Sequence, residues 1–222
     1  MPSYFRQVPN FDYVSRLPNA NIGDYIPVKN IFKKGKLRED IFQDLAFFEK
    51  YKITGNDRPD NVAFEVYGDS TLDWLVLLSN NVVNIQTEWP LTQDGFDRYV
   101  LNKYSNYDTL YNGIHHYKTI EVKNSQGVIM VPGGLEVPDG YSVNYYDYFI
   151  DSQVDTGNIA VPVTNYEYED KLENDKRNIF VLKPFYLNIV LNDMGDIMPY
   201  KKGSSQYVSE NLVRGDNIRL TS

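Results

Sequence analysis

Hydrophobic and polar positions along the 222-residue chain fall into stretches of different period, and each change of period marks a boundary between predicted elements. The alternation in "AFFEKYKIT" sets Phe47, Tyr51 and Ile53 on one side and predicts a strand ending at the turn residues Gly55, Asn56 and Asp57. The next stretch, "RPDNVAFEVYGDSTLDWLVLLSNN" over residues 58–81, changes to helical spacing. Pro59, after Arg58, stands at the first helical position, Asp60 and Glu65 favour the positive helix end, and Val62, Ala63, Val66 and Tyr67 share a face until Gly68 stops the helix. Asp69 or Ser70 caps a second helix with Leu72, Leu75, Val76 and Ser79 on one face and Trp74 and Leu78 alongside, closing on Asn80 and Asn81. So few residues join the two helices that they must fold back on each other as a helical hairpin.

Beyond Asn81, Thr92 caps a predicted helix whose stripe is Phe96, Val100, Leu101 and Tyr104, with Gly95 blurring its start. "HHYKTIEVK" and "VIMVP" flank "NSQG" and predict a two-stranded hairpin, and "PGGLEVPDGYSVNYYDYF" continues with turn signals and an aromatic strand, so the middle third reads as a small antiparallel sheet. In "NYEYEDKLENDKRN" the Glu167–Lys171 attraction and the Glu169–Glu173 repulsion partly cancel, which predicts a solvated helix. "IFVLKP" reads as a buried strand, and the helical "FYLNIVLNDMGDIM" puts Leu187, Val190, Leu191 and Met194 on one face. The first forty residues and the tail after Pro199 follow neither period, so they are predicted as an extended arm and a polar tail that a partner orders.

Composition, charge and the first residues sharpen this picture. A hydrophobic content of 42% over this length supports a buried core in one domain or two small ones. A net charge of −8 with scattered basic residues lacks the electrostatic footprint of a nucleic-acid binder. With no cysteine there is no disulfide framework, no thiolate metal site and no cysteine nucleophile, and a reducing interior fits best. The start "MPSYFRQVPNFDYVSRLP" has no signal-like apolar core and no run reaches spanning length, so no membrane association is expected. Tyrosine is abundant, 19 residues against 2 Trp, which suits either interfaces or a β-rich core.

Candidate chemistry adds little. His115 and His116 are adjacent, so on a strand they point to opposite faces and cannot jointly chelate one metal. No serine stands in a nucleophile-elbow pattern, and no glycine loop has the spacing and lysine of a phosphate cradle. A two-carboxylate hydrolase would have to draw on Glu65, Asp69, Asp73 or Glu88, yet Glu65 and Asp69 fall where helix caps and solvated faces put acids. No catalytic group, cofactor or metal is expected.

The helix, Tyr67-Gly68-Asp69 turn and Trp74-bearing second helix closing on Asn80-Asn81 resemble the LysM module, a β-α-α-β unit best known for binding peptidoglycan and chitin chains. Arg58-Pro59, Trp89-Pro90, Lys103-Tyr104, His115-His116-Tyr117 and Asn174-Asp175-Lys176-Arg177 follow in order, and together they resemble the LysM-like baseplate wedge proteins of contractile-tailed, T4-like bacteriophages over residues 40–195. The resemblance implies a structural virion subunit of the tail baseplate, assembled in the host cytoplasm. Its implied partners are other wedge subunits: it clamps the core bundle, touches the sheath-initiating subunit and joins neighbouring wedges around the hub. Arg58, Pro59, Tyr67, Gly68, Trp74, Leu75, Leu78, Asn80, Trp89 and Pro90 are then the residues of the structural module.

The expected fold class is α+β, a LysM-like module whose closing strand, Ile179–Leu182, is displaced by an insertion and pairs with the strand around Tyr51. The expected division is an arm at 1–40, a split module at 41–81 plus 175–195, an inserted helix and antiparallel β subdomain at 82–174, and a tail at 196–222. Glycan binding is not expected, because an assembled subunit would cover the groove. The alternatives are a peptidoglycan-binding LysM module or a cell-wall hydrolase.

Overall fold

A computed structural model describes residues 4–21, 23–203 and 206–214. Parts of the predicted arm (1–3 and 22) and tail (204, 205 and 215–222) therefore lie outside the described residues. In chain order α1 (Tyr4–Gln7), β1 (Asn10–Val14), β2 (Tyr25–Lys29) and α2 (Glu39–Gln43) lead to β3 (Phe48–Lys52), α3 (Pro59–Tyr67), α4 (Asp73–Ser79) and α5 (Ile85–Glu88). Then come α6 (Gln93–Tyr104), α7 (Tyr107–Asn112), β4 (Ile114–Thr119), β5 (Val122–Lys123), β6 (Ile129–Val131), β7 (Glu136–Val137), β8 (Asn144–Asp147), β9 (Ser152–Asp155), β10 (Ala160–Thr164) and α8 (Asn165–Asp175). β11 (Asn178–Leu182), α9 (Leu187–Ile197), β12 (Tyr207–Ser209) and β13 (Leu212–Arg214) complete the order, a mixed α+β architecture of small sheets.

The chain divides into two compact units, Met1–Trp89 with Asn178–Ser222, and Pro90–Arg177. In the first, β3 and β11 pair antiparallel with Tyr51 opposite Ile179 and Phe48 opposite Leu182. The faces of α3 and α4 pack with this pair: Val62, Ala63, Leu72, Leu75, Val76, Val181, Leu182 and Met194 are completely buried in one cluster. Each large apolar side chain among them contributes about 1.5–3 kcal/mol relative to an exposed one, so this face dominates the unit's stability.

The arm and tail differ from the expectation of patternless segments. β1 pairs antiparallel with β2 and parallel with β13, with Asn10 opposite both Lys29 and Leu212, in a sheet ordered β12-β13-β1-β2. Every residue of β1 is half-buried and β2 is largely exposed, so side chains carry no alternation and the backbone ladder alone defines these strands. Val8, Leu37 and Ile41 also enter the core, as isolated anchors rather than a periodic face. At Gly35 the chain passes close to Met194, so that a Cβ there would make the end of the methionine side chain shift.

In the second unit Phe96, Val100 and Leu110 form a small core, with Leu91, Leu101, Tyr104 and Tyr166 against it. β4 lies between β10 and β7, and β5–β6 and β8–β9 are separate hairpins. α8 differs from the predicted solvated helix, since Glu169 and Glu173 are buried. Glu169 accepts from Lys103 Nζ at 2.6 Å and from the Tyr104 hydroxyl at 2.8 Å; Glu173 accepts from the Leu91 amide and, at 2.8 Å, from Lys176. The two acids, four apart on one face, thus tie α8 to α6 and the loop before it. Lys103 is pushed up, first by its hydrogen bond to Glu169. Glu167 reaches back instead: its carboxylate accepts from the Thr164 amide while the Thr164 hydroxyl accepts from the Glu167 amide, a capping box.

The histidines also depart from the expectation. Val163 pairs with His116 and Thr164 with Ile114, so His115 is the extra residue of an irregularity in β4 and the two rings lose their opposite facing. Their Nδ1 atoms lie 2.9 Å apart, and the His115 ring stacks on Tyr168 with centroids 3.8 Å apart. Among the described residues no group of three or more His, Cys, Asp or Glu side chains is placed to hold a metal.

Candidate docking block

The block around α3 and α4 is built by local rules that the sequence carries. Arg58 is the extended residue before α3, its exposed guanidinium 3.2 Å from Asp60, and Pro59 is buried at the first turn, where no amide hydrogen is missed. Gly68 ends the helix at φ 72°, a left-handed conformation that a side chain resists, and its amide donates to the Phe64 carbonyl. The Asp69 carboxylate then accepts from the Thr71 amide and hydroxyl, starting the 3-10 turn Ser70–Leu72 that runs into α4.

Of the predicted module residues, Trp74 and Leu75 are buried and Tyr67 and Leu78 half-buried against the same cluster. The Tyr67 hydroxyl, pushed up by burial, has no hydrogen-bonding partner of good geometry among the described residues, although it lies beside Leu182. Asn80 does more than end α4. Its Nδ2 donates to the Val76 and Phe180 carbonyls, both at 2.8 Å, and its Oδ1 accepts from the Phe180 amide at 2.8 Å. One amide side chain thereby serves both backbone groups of a β11 residue 100 positions later and locks the helical hairpin onto the strand pair. Trp89 is buried, with Nε1 donating to the Asp57 carbonyl at 3.0 Å, and it ends the first segment of this unit; Pro90 begins the second unit.

A family model for base plate wedge protein 53 matches residues 4–197. The chain belongs to that family. It is therefore a structural component of a phage tail baseplate. The wedge protein is also similar to baseplate wedge protein gp53 of Enterobacteria phage T4, with 26% identity over 206 residues, covering 88% of this chain and 95% of that protein.

The acids considered for catalysis serve local roles in this wedge protein. Glu65 accepts from the Tyr51 hydroxyl at 2.5 Å, and burial together with Glu65 pushes Tyr51 up to about 12. Glu88 accepts from the Asn84 and Val83 amides, which hold it below the usual carboxylate range. Asp69 is lowered by Thr71, and Asp73, whose carboxylate accepts from the Trp74 amide, is raised by its burial. No helix among the described residues is long and apolar enough to cross a membrane.

Sequence reasoning missed Gly35, the Thr164–Glu167 capping box and the inward face of α8. The capping box had its signal in Thr-x-x-Glu, whereas Gly35 had none, because its neighbour Met194 is remote in sequence.

Proposed function

We propose that the wedge protein clamps the core bundle of the baseplate wedge, touches the sheath-initiating subunit and joins neighbouring wedges around the hub, with β3–α3–α4–β11 as a rigid LysM-like docking block. On this reading residues 41–81 and 175–195 form a split module, residues 82–174 are an insertion between its second helix and closing strand, and the terminal segments at 1–40 and 196–222 supply a second surface.

The observation that carries this reading is the Asn80–Phe180 lock, which makes the block rigid although its closing strand returns 100 residues later. A rigid block presents a preformed surface, so little conformational freedom is lost on docking. Purified chain mixed with wedges lacking this subunit should be retained by them and not by purified peptidoglycan. Salt-resistant retention on peptidoglycan without retention on wedges would instead identify a glycan-binding module.

A further inference from the structure

The chain carries two exposed surfaces of opposite charge, each centred on apolar groups. The first is the β8–β9 hairpin. At its tip Tyr148, Phe149 and Ile150 are 88%, 69% and 52% exposed. This tip is a shaped turn: Asp147, itself buried, accepts from the Ser125 amide at 3.0 Å, the Ser125 hydroxyl at 2.7 Å and the Phe149 amide at 3.0 Å. On the far side Asp151 sits at φ 52° and its carboxylate accepts from the Tyr146 hydroxyl. Residues 124–170 include eight acids and no Lys, Arg or His, so the hairpin is uniformly negative in its own stretch of chain.

The second surface is assembled from the arm and the tail. Asn30 donates to the Tyr200 hydroxyl at 2.8 Å, and Lys33 donates to the Pro199 carbonyl at 2.8 Å while lying over the Tyr200 ring. These contacts bring Lys33, with Lys34 next to it in the chain, to the segment that carries Lys201 and Lys202, four cations in a chain of net charge −8. Lys33 is lowered first by burial and then by the charge of Lys201, and Asp196 and Glu210 line the cleft below together with Lys201 and Lys202. That cleft, about 520 Å³, lies between the end of α9 and the terminal sheet and is lined by Pro199, Tyr200, Tyr207 and the two tail lysines. Beside it Ile31 and Phe32 are 72% and 86% exposed.

We propose that the acidic aromatic hairpin of one copy of this chain docks at the lysine-rimmed cleft of a second copy, with Phe149 against Tyr200 and Asp151 among the lysines. Rigid aromatic side chains in a preformed turn are the usual anchors of interfaces, and opposite charge on the rim steers and registers them. The chain itself contains both halves of this complementarity. Such a contact is head-to-tail, so it propagates from copy to copy and closes only if the copies are arranged in a ring. For that closure the inference rests on the proposed placement of wedges around a hub, whereas the pairwise contact does not.

The absence of cysteine makes the test direct. Full-length Tyr148→Cys and Lys202→Cys variants, each with the circular dichroism spectrum of the parent, are mixed at high concentration under mild oxidation. The mixture should form the mixed disulfide dimer, linked between position 148 of one variant and position 202 of the other, about tenfold faster than either variant dimerises alone. Adding Asp151→Lys to the first variant should remove this preference, and adding Lys34→Glu with Lys201→Glu to the second should restore it. Equal rates in mixed and separate solutions, or no response to the charge reversals, would overturn the proposal. Because no other baseplate component is present, that failure would leave the wedge-binding result of the preceding section standing on its own.

Discussion

Removal of the Asn80 side chain tests how the docking block is held. The three 2.8 Å hydrogen bonds of Asn80 include both backbone groups of Phe180. In Asn80→Ala the Phe180 amide and carbonyl lose this partner at a part-buried position, and a buried polar group left unpaired costs about 1–3 kcal/mol. Water reaches part of the site, so the lower half of that range applies to each of the two groups, giving about 2–4 kcal/mol in total. Asn80→Asp keeps an acceptor for the Phe180 amide but turns a carboxylate toward two carbonyl oxygens, so it should cost at least as much. Urea unfolding followed by tryptophan fluorescence reads this unit specifically, because Trp74 and Trp89 both lie in its core, 7% and 5% exposed. With a slope of about 2 kcal/mol per molar, the midpoint should fall by about 1–2 M without a change of slope. A midpoint within about 0.2 M of the parent would show that the hairpin is held to β11 by apolar packing alone.

Trp74→Ala should lower the stability of the same unit by about 3–5 kcal/mol, read from Trp89 fluorescence in urea. Gly68→Ala meets no neighbouring atom within 4 Å, so its cost should be backbone strain alone, about 1–2 kcal/mol in the same assay. Lys103→Ala leaves the Glu169 carboxylate buried with Tyr104 alone; because Lys103 is itself half-exposed the loss should be about 1–3 kcal/mol, seen as faster amide exchange in α6 and α8. Asp147 is held below the usual carboxylate range, first by hydrogen bonds from Ser125. Its contribution to the hairpin is therefore complete above the ordinary Asp value of about 3.9 and is lost as pH falls through the lower folded value. Amide resonances of Ser125 and Phe149 should titrate together in that acidic window, and Asp147→Asn should abolish the transition.

What the sequence revealed depended on how local the governing interaction was. Pro59, Gly68, Asp69 and the apolar face of Leu72, Leu75 and Val76 act within a few residues of themselves, so α3, its stop and the second helix were readable directly. The pairing of Ile179 with Tyr51 was readable because Ile179–Leu182 is a continuous apolar run with few strands available to receive it. The terminal sheet was not, since β1 meets β13 across some 200 positions through backbone hydrogen bonds that leave no hydrophobic signature. α8 was misjudged for a related reason: its acids look like a solvated face until Lys103 and Tyr104 are brought beside Glu169 from another helix. Asn80 was noticed as the end of a helix, while its engagement with Phe180 depends on the tertiary structure.

A reconstruction of the intact tail end with this chain traced in it tests the central claim most directly. The account predicts the β3–α3–α4–β11 block seated, with its internal geometry unchanged, against the helical core of the wedge. Density for the chain with that block facing solvent, or with β11 detached from β3 in the assembled state, would contradict it.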